Sequence, residues 1–464
     1  MQILSDFVNA FNFIVDSLRP TSPKPLMFVR FRDTERCPLR FFLVLACSLF
    51  ILADSSGQDL SSLENAPAFA PIVDTSTLSG KVMVGYQGWF NADGDGANLG
   101  WKHWARHRDK PFGPGNVTVD LWPDMTEYDQ DERYPTQFRL ADGSPAEVFS
   151  SANAKTIHRH FRWMQEYGID GAFVQRFASG LGSKHEREHK NAVLRHAVQA
   201  SKKYGRACAV MYDLSGLKEG QLDRVYQDWS TLESQWKLTD ASSYLYHNDK
   251  PLVAIWGVGF TDRHVPGAYT LAECRGMIQS FKSAGCSVML GVPTGWRDQN
   301  RDAVTDTQLH EILKLADVIS PWTPGRYRTP DEVAKHERET WTPDIQWCEE
   351  QRLDLLPVVF PGFSWHNLKG DALDAIPRLG GKFLWSQLAA ANRSGADMIY
   401  VAMFDEVDEG TAIFKCTNEP PAGDGVRFLT YEGLPSDHYL KLVGHAGRIL
   451  RNEAPASSEM PATQ

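Results

Sequence analysis

Four carboxylates crowd into five residues at Asp405-Glu406-Val407-Asp408-Glu409, just ahead of Gly410-Thr411. They follow Met398-Ile399-Tyr400-Val401-Ala402, an apolar run that reads as a buried strand. Burying an unpaired carboxylate is costly, so a strand that ends this way opens into a site or into solvent. If the turn is helical, Glu406 and Glu409, spaced i, i+3, reach one cavity. Two carboxyl groups in one cleft, one of them keeping its proton at neutral pH, are the working parts of glycoside hydrolysis. The plain alternative is a solvated acidic loop. Within the cluster, Asp405 is expected to bind or support a substrate and Asp408 to face solvent.

The strand before the cluster belongs to a repeating pattern. Apolar runs at 82–87, 171–176, 207–214, 252–258, 288–292, 318–322, 355–360 and 399–404 read as strands. Helical periodicity fills 154–167, 185–204, 271–284 and 381–394, and a last helix is expected over 436–450. Near-continuous apolar strands alternating with helices predict a parallel sheet covered on both faces. Eight of them predict an α/β fold of the (β/α)8 TIM-barrel type with long βα loops. An open doubly wound sheet would want a glycine fingerprint at its switch point, and the sequence has none. Residues 91–151 hold too much Gly, Pro and aromatic character for one helix, and are expected to fold over the barrel mouth.

Barrel enzymes carry their chemistry where the strands end. Read in order, those ends offer Tyr86, Gln87 and Trp89, then Gln175 and Arg176, Tyr212 and Asp213, and Trp256. Trp296, Trp322, and Trp365 with His366 follow, and the glutamates come last. Five of the eight ends carry Trp, and flat apolar rings beside fixed hydrogen-bonding groups suit a polyol ligand. Rim aromatics of an ordinary core explain single cases and not the set. All of these except Trp296, together with Asp405, are taken as candidate substrate ligands, with Glu406 and Glu409 as the candidate catalytic pair.

Other chemistries are excluded in turn. The formal charge is −10 and no basic run tracks phosphates, so nucleic acid is not an expected partner. His185-Glu186-Arg187-Glu188-His189 matches a zinc-protease pattern, but its flanks are charged where a metal helix is apolar. It reads as an exposed first helical turn from which His189 or Asn191 can face the cleft. Asn91-Ala92-Asp93-Gly94-Asp95-Gly96 opens like a calcium loop, yet Lys102 stands where the closing Glu belongs. There is no G-x-S-x-G, phosphate loop or dinucleotide fingerprint, so neither an organic cofactor nor a metal is expected. Cys208, Cys274, Cys286, Cys348 and Cys416 show no metal spacing and read as small buried hydrophobes, with one or two disulfides left open.

At the N-terminus, Arg30, Arg32, Arg36 and Arg40 precede an apolar segment over 41–53. That length is short for a membrane span and right for a signal peptide, with Ser55, Ser56 and Gly57 offering a cleavage site. Residues 1–57 are read as an extension and signal peptide, with Met27 an alternative start. A membrane anchor is the competing reading. The expected order is then a linker over 58–79, the barrel over 80–452 and a disordered polar tail over 453–464. The mature chain is expected outside the cytoplasm, periplasmic or extracellular, with no stable membrane association after signal cleavage.

The chain resembles the glycoside hydrolase family 71/99-like proteins, most closely the family 99 endo-α-mannosidase side. That family's F-N-E-W-x-E-G-T element is matched by Phe404-Asp405-Glu406-Val407-Asp408-Glu409-Gly410-Thr411. Pro361-Gly362-Phe363, Tyr86–Phe90, His103-Trp104 and Gly168-Ile169-Asp170-Gly171 support it, over about Lys81–Leu450. The resemblance implies a retaining glycosidase acting on an oligosaccharide or polysaccharide. Glu409 would then be the general acid/base. Glu406 would be the base acting on the sugar 2-hydroxyl, which attacks the anomeric carbon from within the substrate. Val407 stands for the family's Trp and Asp405 for its Asn, which alters the subsite around that hydroxyl. Relatives with a G-Y-Q-G-W-F opening are xylosidase/arabinosidase-like, and family 71 points to an α-glucan. A non-catalytic carbohydrate-binding barrel is the rival of another class.

Overall fold

The computed structural model describes residues 72–423 and 425–463. The signal-peptide reading of residues 1–57 and most of the linker fall outside the described residues. Among the described residues no helix is long and apolar enough to cross a membrane.

The eight expected strands form one parallel ring, a (β/α)8 barrel. They are Val82–Tyr86, Gly171–Phe177, Ala207–Asp213, Lys250–Trp256, Ser287–Pro293, Val318–Trp322, a divided seventh strand, and Ile399–Val401. Val82 opposite Ile399 closes the ring between the first and eighth strands. The seventh strand differs from the continuous run the apolar pattern predicts. Asp354–Leu355 pairs with the sixth strand and Val358–Val359 with the eighth. Pro357 lies at the break because it has no N–H to give a ladder. Leu356 still donates its N–H to Ile319 (2.9 Å), and the Pro357 carbonyl accepts from Tyr400 (3.0 Å). The eighth strand proper is shorter than expected, but Phe404 N–H still reaches the Gly85 carbonyl at 2.8 Å.

Alternation along each strand decides which side chains reach the barrel interior. Gly85 faces inward, where a Cβ would lie 2.1 Å from Met403 and 2.5 Å from the Tyr400 hydroxyl. Its neighbour Tyr86 therefore faces outward, with its hydroxyl 2.9 Å from His160 Nδ1 on the helix Ala154–Glu166. That helix starts on Asn153, whose side chain accepts from Lys155 N–H, and Thr270 with Glu273 caps Leu271–Ser283 in the same way.

Residues 91–151 do fold over the rim. They contribute the hairpin Tyr134–Arg139 with Pro145–Val148 and an aromatic layer in which Phe112 stacks on Trp122. Asp120 is their anchor. Its carboxylate accepts the N–H groups of His366 (2.7 Å) and Asn367 (2.8 Å), and its own carbonyl accepts from Leu429 N–H (2.7 Å). Asp95, in the calcium-like stretch, spends one oxygen on Asn91, Ala92 and Ser150 and the other on Ala97.

The end of the linker and the tail, the latter expected to be disordered, both make contacts with the barrel. Val73 N–H bonds the Gly205 carbonyl and Leu78 is buried, so the end of the linker lies against the barrel. The tail packs Met460 on the core and sets the Thr463 hydroxyl 2.7 Å from His438 Nδ1. Its few apolar side chains suffice to seat it. Cys208, Cys274, Cys286, Cys348 and Cys416 are all buried and unbridged.

Candidate active site

The acidic cluster sits where the eighth strand leaves the barrel, beside the end of the first. Asp405 is fully buried, and its two oxygens accept the backbone N–H groups of Gln87 (2.8 Å) and Gly88 (2.9 Å). Gly88 has φ +56°, a left-handed turn that suits glycine and aims both N–H groups at one carboxylate. Asp405, expected as a substrate ligand, is thus spent on fixing the first strand's end. Gln87 is thereby positioned to donate from Nε2 to Glu406 Oε1 at 2.7 Å. The other Glu406 oxygen accepts the Thr411 hydroxyl at 2.9 Å. The Glu406 carbonyl takes the N–H groups of Thr411 (3.2 Å) and Ala412 (3.0 Å), closing the turn on itself.

Asp408 is not solvated. It is buried, and its Oδ2 lies 3.1 Å from Nδ1 of His103, delivered by the segment that covers the rim. The His103 ring stacks on Trp89 at 3.8 Å between centroids and 5° between planes. Glu409 is half-buried, with the Trp365 side chain beside it favouring its charged form.

Burial is the main reason all four carboxyls hold their protons more tightly than usual. It pushes Asp405 to about 7, and Asp408 and Glu409 to about 8. Glu406 also moves well up, through burial and then the charges of Glu409 and Asp408. When those two are protonated their repulsion is gone, and Gln87 and Thr411 remain as donors to Glu406. These two donors favour the charged form of Glu406, whereas burial and the charge of Asp408 hold the proton on Glu409 up to about 8.

A stability consequence follows from these directions. Carboxyls with raised native pKa bind more protons folded than unfolded between the unfolded value and the raised one, so their contribution is lost as pH rises through that window. Glu409→Gln is expected to raise the melting temperature by a few degrees at pH 8 and by progressively less toward pH 5. A constant difference across that range in a thermal scan would contradict the assignment.

Gln175 donates to the Tyr400 hydroxyl at 3.1 Å inside the barrel, and Trp322 packs on Tyr400 with Trp256 against it. Asp213 faces the same space, since its charge acts on Glu409 and Tyr400. Gln87, Trp89, Asp213 and Trp365 thus lie about the acidic turn, while Gln175, Trp322 and Trp256 line the barrel interior around Tyr400. His366 stands at the rim, its Nδ1 2.8 Å from the Asp371 carbonyl. Gln87 Oε1, Trp89 Nε1, Trp256 Nε1 and Asp408 Oδ1 are buried polar atoms with no protein partner among the described residues.

No family model and no curated protein matches the chain. Solved structures do. Two are of the glycoside hydrolase family 99 endo-α-mannosidase from Bacteroides thetaiotaomicron, one of them in complex with bis-tris-propane. The complex is 18% identical over 82% of this chain and 100% of its own, with a TM-score of 0.57. The other is 17% identical over 81% and 99%, with a TM-score of 0.58. The chain shares that enzyme's fold.

Three expected ligands lie elsewhere in this barrel. Tyr86 is outside the sheet on His160, and the same alternation carries Arg176 and Tyr212 outward. Arg176 is fully buried against Asp228, with Nε 2.9 Å from Oδ2 and Nη2 2.6 Å from Oδ1. The Tyr212 hydroxyl donates to the same carboxylate at 2.7 Å. Of the helix residues, His189 is buried with Nε2 3.0 Å from the Gly88 carbonyl, and Asn191 accepts from Arg176. His103, Tyr400 and Thr411 are site residues missing from the ligand set. Thr411 was visible in the Gly-Thr after the glutamates and Tyr400 in the strand's alternation, whereas His103 depends on a long-range fold-back.

Proposed function

We propose that this protein is a glycoside hydrolase that cleaves a glycan with retention through Glu406 and Glu409. The observation that carries the reading is one buried turn holding two neighbouring carboxyls, with Glu406 fixed by two donors and Glu409 still protonated at neutral pH. The four unpartnered polar atoms around them, with the tryptophans, suit the hydroxyls and flat faces of a sugar.

In this reading the ionised Glu406 takes the proton of the sugar 2-hydroxyl. That oxygen attacks the anomeric carbon and closes a three-membered ring across C1 and C2, while Glu409 gives its proton to the departing glycosidic oxygen. Water then attacks the anomeric carbon, Glu409 recovers a proton from it, and Glu406 returns its proton to the 2-oxygen. Two inversions give net retention. Buried Val407 is where the family element has Trp, so the sugar specificity of endo-α-mannosidases does not carry over by that position. The reading includes export of the mature chain, and its substrate is a periplasmic or extracellular oligosaccharide or polysaccharide.

The test is hydrolysis of a panel of α- and β-linked mannosides, glucans, xylosides and arabinosides, following the anomeric configuration of the first product. Retained configuration on at least one linkage supports the reading. Inversion removes the substrate-assisted route, and tight binding without any hydrolysis makes the barrel a lectin-like module instead.

A further inference from the structure

At the corner between the first and second strands, three cations crowd one carboxylate. Lys102 and Lys190 both ion-pair with Glu186, Lys190 at 3.2 Å, and Arg108 lies 3.5 Å from its other oxygen. The corner is not a loose surface patch, since the side chains of Lys102, Lys190 and Glu186 are only 16%, 11% and 17% exposed. The charges acting most strongly on Lys190 are Lys102, Glu186 and Arg176. Burial and then Lys102 push it down to about 8, which is how a cation responds when its neighbours are under-neutralised. Gly180 leaves it room, because a Cβ there would lie 2.8 Å from Lys190 Nζ. All this occurs in a chain of net charge −10.

The corner abuts the cleft. Lys102 directly precedes His103, which stacks on Trp89 and meets Asp408, and Lys102, Glu186 and Lys190 are the charges acting most on His103. A structural strut between the rim segment and the helix Lys184–Tyr204 needs one cation for Glu186. The second ammonium at low exposure, with the half-exposed Arg108 beside it, is a cost unless an anion offsets it.

We propose that this corner receives an oxyanion substituent of the glycan, a carboxylate or a sulfate ester, beside the sugar that packs on Trp89, so that the substrate class is an acidic glycan. The inference rests on the glycosidase reading. Two ammonium groups offer six N–H donors, of which Glu186 uses part, and both lie within reach of one bound oxyanion.

The experiment compares kcat/KM and binding for three matched oligosaccharides, neutral, uronate-bearing and O-sulfated, in the wild type, Lys102→Met/Lys190→Met and Glu186→Gln. The double variant is expected to lower the acidic-to-neutral ratio by roughly tenfold or more. Glu186→Gln, which increases the cationic surplus, should raise that ratio, and added salt should lower it. Equal proportional losses on acidic and neutral substrates in the double variant, or a lower ratio in Glu186→Gln, reduce the corner to a strut and overturn the proposal. The uronate and sulfate arms decide which oxyanion is preferred. A wild type that turns over neutral glycans and rejects both acidic ones ends the inference but leaves the glycosidase reading intact. Acidic glycans that bind the wild type selectively, lose that binding in the double variant and are never hydrolysed end the glycosidase reading instead.

Discussion

Glu406→Gln and Glu409→Gln are each expected to lower kcat on an unactivated glycan by roughly 10²–10⁴-fold. Neither should unfold the barrel, since each removes a carboxyl whose burial is unfavourable when charged. The two variants should separate on substrates with a leaving group that needs no proton. Such a substrate should restore most of the rate in Glu409→Gln, because only leaving-group protonation is missing. It should not rescue Glu406→Gln, where the 2-hydroxyl keeps its proton whatever departs. The pH profile gives a second reading of the same roles. With Glu409 held at about 8, the wild-type rate should fall above that pH, and the Glu409→Gln rate on the activated substrate should lose this alkaline limb. Rescue of both variants alike, or full activity in either, would remove the proposed division of labour.

Most of the barrel was legible because parallel strands buried on both faces leave short, near-continuous apolar runs between helical patterns. Residues 318–322 appear as a strand over those same residues, and the helices start at Ala154 and Leu271, where the periodicity predicts. The break at Pro357 was less visible, since one proline in an apolar run says nothing about which neighbour each half will pair with. Site residues failed by parity. Tyr86 with Gln87, Gln175 with Arg176, and Tyr212 with Asp213 are adjacent pairs at strand ends, and in each pair only one side chain enters the barrel. A sequence in which both members are polar or aromatic does not say which one. The contacts of Asp405 and Asp408 were hidden for another reason: their partners, 318 and 305 residues away, cannot be read from local spacing.

The buried layer outside the sheet carries the largest stability effect. Asp228→Ala is expected to cost about 3–5 kcal/mol, because it strands the Arg176 guanidinium, whose side chain has no exposed surface, without its counter-charge. It also removes the acceptor of the Tyr212 hydroxyl. Chemical denaturation of the variant and wild type measures this, and a loss under about 1 kcal/mol would mean that Arg176 finds water or another partner. Replacing both partners, Arg176→Met with Asp228→Leu, should recover most of the loss, since an apolar pair of similar volume carries no desolvation cost. Tyr212→Phe isolates the remaining bond. It should cost about 1 kcal/mol and leave KM where it was, because the hydroxyl points into the helix layer. A tenfold rise in KM for that variant would return Tyr212 to the substrate site, where the sequence had placed it, and would mean that the outward face of the third strand is reached from the cleft.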